Sequence, residues 1–286
     1  MQRAVIEGFQ SLLKLALAVF GIICLGSLPG LFNHLTVNVP QYIQTIQDVA
    51  AKLAHPASIT YSTTVRPLFP EIFIRFKESL IIFSCSLFFS ITLAIIVVYY
   101  LIRLSERRLN QVRQLIAFFE SIPDILIILG LQLFVVWLFQ VTGVLFVKVA
   151  GIGDNTVRAL PMIALSIPTT LMFIKLLLVR FEEEFRRDYV LLAEAKGLSR
   201  VAVFYRHVFI NVLFSLFFFT KTTIWFMLSN LYIIEYFFNS LGIFLFVKEN
   251  PTSEIFVVSL LLIYIPVFLF IQAFQLFAPD ALKERT

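Results

Sequence analysis

Apolar and polar positions separate along this chain into blocks far longer than the alternation of a strand or one face of an amphipathic helix. Six near-continuous apolar runs cover roughly 11–32, 79–103, 114–142, 158–180, 208–235 and 255–279. At about 1.5 Å per residue, each is long enough as a helix to cross a hydrocarbon layer of about 30 Å. A helix satisfies its own backbone hydrogen bonds in lipid, and the runs are too long for barrel strands. The pattern predicts an all-α integral membrane protein of about six transmembrane helices, with residues 1–286 as one transmembrane domain. The first run lacks a small-x-small cleavage site after it and is expected to stay as a span. Residues 33–74 predict a short helix over YIQTIQDVAAKLA followed by a loop, and residues 236–254 a shorter connector that re-enters the outer leaflet.

Composition narrows the class. Hydrophobic residues make up 59% of the chain and charged residues 14%, against about 25% charged in a soluble domain. A buried soluble core therefore does not account for the runs. The net charge of +5 reflects loop lysines and arginines, not a nucleic-acid partner. Basic residues favour one set of loops by about two to one, which predicts cytoplasmic N- and C-termini and a multi-pass protein of the cytoplasmic (inner) cell membrane. Cys24 and Cys85 lie inside apolar runs and read as packing residues, and the three histidines are scattered, so neither a disulfide nor a metal site is expected.

One polar stretch interrupts this pattern. In DYVLLAEAKGLSRVAVFYRH, residues 188–207, Asp188 can cap a short helix and Gly197 can end it in a left-handed conformation. Ser199 can then cap the next helix, which leads into the fifth run. Small residues at Ala193 and Ala195 allow close approach, and Tyr189, Leu191 and Leu192 offer an apolar contact. A plain connector seldom needs more than a few residues, so the segment over 181–207 reads as a docking element.

The same residues resemble the cytoplasmic EAA-type coupling loop of binding-protein-dependent ABC transporter permeases, and within them the dipeptide/oligopeptide (nickel) branch. Asp188, Tyr189, Ala193, Ala195, Lys196, Gly197, Leu198, Ser199, Arg206, His207 and Asn211 match that loop in register. EYFFNSLGIFLF, with Glu235 and Gly242, is similar to the family's outer element, and SIPDILIILGLQLFVV to its third span. Ser215 and Leu241 stand where the family generally has proline. The resemblance implies an ABC type I importer permease fold. It also implies two partner ATPase subunits that hold ATP and Mg, a second and different permease subunit, and an extracytoplasmic substrate-binding protein delivering a peptide or related small solute. The chain has no G-x-x-x-x-G-K-[ST] loop, so it is expected to be a non-catalytic subunit with no cofactor of its own.

Three charges fall inside apolar runs: Glu120 and Asp124 in the third, Lys221 in the fifth. A charge at bilayer depth costs about 2.5–3.5 kcal/mol on insertion scales and normally faces a bundle interior or a wet cavity. Four residues apart, Glu120 and Asp124 share a face of a continuous helix. They are candidate pathway or gate residues, and Lys221 is a candidate partner for one of them. The alternative function is an ion-coupled secondary transporter using these three side chains as a relay. Pro123, Pro161, Pro168 and Pro266 are expected to kink spans, and most of the 33 phenylalanines to serve as packing bulk.

Overall fold

The computed structural model describes residues 2–33, 36–61, 65–151, 153, 156–198, 200–204 and 208–277. It is 80% helical, and its extended structure is confined, among the described residues, to two-residue antiparallel pairs at 32–37 and 60–67. Among the described residues, five helices are long and apolar enough to cross a membrane. The chain is therefore an all-α, multi-pass membrane protein. It divides into two compact units: residues up to Glu78 together with those from Gly242 onward, and residues Ser79–Leu241.

The first unit pairs α1 (Gln2–Gly26) with α11 (Ser253–Phe277) and lays α2 (Val39–Ala54) beside them. Ser11 near one end of α1 donates to Gln272 at 3.0 Å. At the other end of α1, a Cβ on Gly26 would lie 2.2 Å from Val257. The two helices thus run antiparallel, and only glycine allows their approach at Gly26. α2 starts where Asn38 accepts the Gln41 backbone N–H at 3.0 Å, a side-chain cap on an otherwise orphan donor. Lys52 of α2 forms an ion pair with Glu254 of α11. Ile59, Leu68, Ile72, Ile243 and Phe246 close a small apolar core between the strand pair Thr60–Tyr61/Arg66–Pro67, the start of α3 (Glu71–Leu101) and α10 (Ile243–Glu249). The expected outer helix and the 236–254 connector correspond to α2 and α10.

The second unit contains the rest of α3 with α4 (Glu106–Glu120), α5 (Asp124–Thr142), α6 (Ala159–Phe185), α7 (Asp188–Ala195), α8 (Arg200–Val203) and α9 (Phe209–Phe237). Hydrogen bonds fix the helix directions. Ser86 donates to the Met162 carbonyl at 3.1 Å and Ser90 to that of Ser166 at 3.2 Å, a constant offset that makes α3 and α6 parallel. Asn230 donates to Asp124 at 2.9 Å and Gln132 to the Phe237 carbonyl at 3.0 Å, which makes α5 and α9 parallel. Lys175 meets Glu120, and Arg113 meets Glu182, so α4 runs antiparallel to α6. α4 and α5 are two separate helices, and α5 alone is long and apolar enough to cross a membrane.

This corrects the expected continuous third span over 114–142. The helix ends at Glu120 and restarts at Asp124. Pro123 brings no backbone N–H and drives Ile122 away from helical geometry, so the proline does more than kink the run. Pro168 and Pro266, by contrast, lie within unbroken helices, and Pro161 sits in the first turn of α6, where a missing N–H costs little.

Candidate functional site

Two places in the second unit gather the residues singled out by sequence. The first is the turn after α6. α7 opens at Asp188, whose charge in the first turn suits the helix dipole. Gly197 has φ +83°, and the Leu198 N–H reaches back to the Ala193 carbonyl at 3.2 Å. That six-residue closure around a left-handed residue is the Schellman arrangement. Val190 and Ala193 are buried in a core with Phe181 of α6 and Phe204, while Ala195, Lys196, Gly197 and Leu198 are exposed. Phe181 stacks on Phe204 at 5.5 Å and on Phe209 at 6.5 Å, so aromatic rings from either side of residues 205–207 seat on α6. Ser199, Arg206 and His207 lie outside the described residues.

A polar tether fixes α7 to the end of α6. The Tyr189 hydroxyl donates to Glu184 at 2.7 Å and accepts from Asn211 at 3.1 Å. Arg187 lies 3.1 Å from the other Glu184 oxygen, and Glu184 is only 5% exposed. Burial, and then the hydrogen bond to Glu184, pushes the Tyr189 hydroxyl above its ordinary value of 10.0. A raised folded value means the tether's contribution is complete below the ordinary value and is lost as pH rises through the raised one. Tyr189 therefore points inward, not out as an apolar contact. The outward role falls to Leu191 and Leu192, which are 57% and 56% exposed.

The second place is the break between α4 and α5. It opens a cavity of about 480 Å³ whose walls include Glu120, Ser121, Asp124, Phe119, Phe226 and Pro168. Its place along the neighbouring helices follows from their contacts. Asn230, which holds Asp124, is seven residues before the end of α9, or about 10 Å. Pro168 is nine residues inside α6 and Lys175 sixteen, of 27. The break thus lies alongside the middle third of α6. Glu120 is 2.7 Å from Lys175, whereas the partner of Asp124 is the neutral amide of Asn230. The two carboxylates come to one cavity, but from the end of one helix and the start of another, not from one helix face.

Lys221 does not join them. It is nine residues from Asn230, about half a turn around α9 in phase and about 14 Å along it, and it is exposed. No hydrogen bond or ion pair joins it to a described residue. It shares its outward face with Trp225, Ser229 and Tyr232. Glu235 is fully buried and accepts from Ser79 at 2.5 Å, while its backbone carbonyl takes the Ser240 N–H at 3.0 Å. Gly242 is extended and N-caps α10.

Lys175, Glu184 and Asn230 complete these places, and sequence reasoning misses all three. Lys175 counts there only as one more basic residue near a membrane end, and Asn230 carries no charge to draw attention inside an apolar run. Glu184 lies within the acidic run EEE, five residues before Tyr189 across a helix end, where no fixed helical spacing relates them. Among the described residues no group of three His, Cys, Asp or Glu is arranged to hold a metal ion. The chain matches no protein-family model and no curated protein.

Proposed function

We propose that this chain is the membrane-spanning permease subunit of an ATP-driven ABC importer, of the peptide-carrying type I class, with α9 as a sixth span and both termini in the cytoplasm. The observation that carries the reading is α7: a helix closed by a left-handed glycine, tethered through Glu184 and Tyr189, and presenting two exposed leucines beyond the end of a membrane helix. Leucines held rigidly in water at such a place suit a docking partner, and a rigid tether transmits a push from that partner to α6 and α9. Two ATPase subunits would supply that push, with ATP and Mg bound in them and not in this chain. The polar outward face of α9, with Lys221, Ser229 and Tyr232, suits a wet pathway or a second permease subunit better than lipid. An external binding protein would deliver the solute.

A second reading, an ion-coupled secondary transporter, is favoured by one observation: a break between two helices with a carboxylate on either side, an arrangement used by such transporters. The two differ in energy source. Tagged protein purified from native membranes in mild detergent is expected to bring down subunits that carry a G-x-x-x-x-G-K-[ST] loop and hydrolyse ATP. Purification of the intact chain without any ATP-hydrolysing protein, together with uptake that follows an ion gradient, would favour the second reading.

A further inference from the structure

We infer that the break between α4 and α5 is a station for the positively charged group of an organic solute, with Asp124 as the residue that selects for charge. The cavity holds two carboxylates, and their surroundings differ. Glu120 is neutralised by Lys175 at 2.7 Å. Asp124 has the Asn230 amide at 2.9 Å, which orients the carboxylate without cancelling its charge. Those three charges leave the cavity with one net negative charge among mostly apolar walls, where an uncompensated charge is costly. A cation entering from outside the chain removes that cost.

The walls decide what kind of cation. Apart from the carboxylates, the lining is mostly apolar, with Phe119 and Phe226 among it. A Mg or Ca ion asks for six or more oxygen ligands, and among the described residues no cluster of three such side chains is present. Aromatic faces and apolar walls instead suit an ammonium or guanidinium carried on an apolar body. At about 480 Å³ the cavity has the size of a small-molecule site. The solute class is therefore an amine-bearing organic molecule, and an amino-terminal peptide group belongs to that class. The inference rests on the permease reading for its role in transport, but the charge preference of the cavity does not depend on any partner.

Charge-selective labelling tests it on the full chain in permeabilised membranes. Ser121, exposed and on the cavity wall, is changed to Cys in a Cys24→Ser, Cys85→Ser background. Its rates are measured with the trimethylammonium-ethyl and sulfonato-ethyl methanethiosulfonates, each relative to a free thiol. The cationic reagent is expected to be favoured at least about tenfold by a nearby carboxylate in a low-dielectric cavity. Asp124→Asn is expected to bring that ratio within about twofold of unity, and Asp124→Glu, which keeps the charge, to preserve it. Phenylethylammonium is expected to slow the labelling, and phenylethanol to leave it unchanged. A ratio unaffected by Asp124→Asn, one lost in Asp124→Glu, equal protection by amine and alcohol, or a Ser121→Cys chain that reacts with neither reagent overturns the inference. Since no ATP or ATPase is involved, these outcomes stand apart from a failure to find the ATPase partner.

Discussion

The double substitution Leu191→Asp, Leu192→Asp is expected to abolish capture of the ATPase subunit while leaving the chain itself folded. Both side chains are more than half exposed in the isolated chain, so within it the change removes little buried surface. In a docked complex the same two leucines would be covered. Burying one is worth about 1.5–3 kcal/mol, so losing both costs about 3–6 kcal/mol, two to four orders of magnitude in affinity. Two new carboxylates add a desolvation cost. The check is the amount of ATPase recovered per permease, read beside far-ultraviolet circular dichroism and the thermal midpoint. The inner face gives the contrast: Val190 and Ala193 are buried, and an Asp there is expected to cost stability before it affects docking.

Gly197→Val is the second large effect, and it acts through the backbone alone. The residue sits at φ +83°, and a Cβ added there would meet nothing within 4 Å. Steric contact is therefore not the cause of any loss. An L-residue in the left-handed region costs about 1–2 kcal/mol, and a β-branched one more. The chain relieves that strain by giving up the Leu198-to-Ala193 closure, which lets the end of α7 and its leucines drift. ATPase capture and solute uptake are each expected to fall about tenfold, the equivalent of about 1.4 kcal/mol. Gly197→Asn, whose side chain tolerates the left-handed region, is expected to retain most of both. Equal loss in the Val and Asn variants would mean that the side chain, not the backbone angle, is what the position rejects.

Where local chemistry decides structure, the sequence is readable. Gly197 after a short helical pattern announces a left-handed end, and the turn has that geometry. YIQTIQDVAAKLA announces a helix, and α2 covers it. Reading stops where long-range packing decides. A hydropathy window passes over Pro123 because its neighbours are apolar, so the third run looks like one helix and places Glu120 and Asp124 on one face. The break changes what they are: carboxylates on either side of a gap between two helices. Lys221 looks like their partner because it is the cation that lies deepest in an apolar run. Its phase on α9 relative to Asn230 puts it on the other side, and which face of α9 meets α5 is a tertiary fact that no spacing reveals. Tyr189 reads as outward on its apolar ring alone. Its hydroxyl turns it inward, because a buried carboxylate at Glu184 needs donors.

The central claim is that α7 is where an ATPase pushes on this chain, and a cross-link at one of its exposed leucines addresses it most directly. Leu192→Cys, in the Cys24→Ser, Cys85→Ser background, is treated in native membranes with a short thiol-to-amine reagent, and the adduct is identified by mass spectrometry. The account predicts an adduct with a protein that carries a phosphate-binding G-x-x-x-x-G-K-[ST] loop and hydrolyses ATP, in a yield that changes when ATP and Mg are added. A Leu192→Cys chain that is readily labelled by small thiol reagents yet cross-links to no ATP-binding protein, with or without nucleotide, would contradict it.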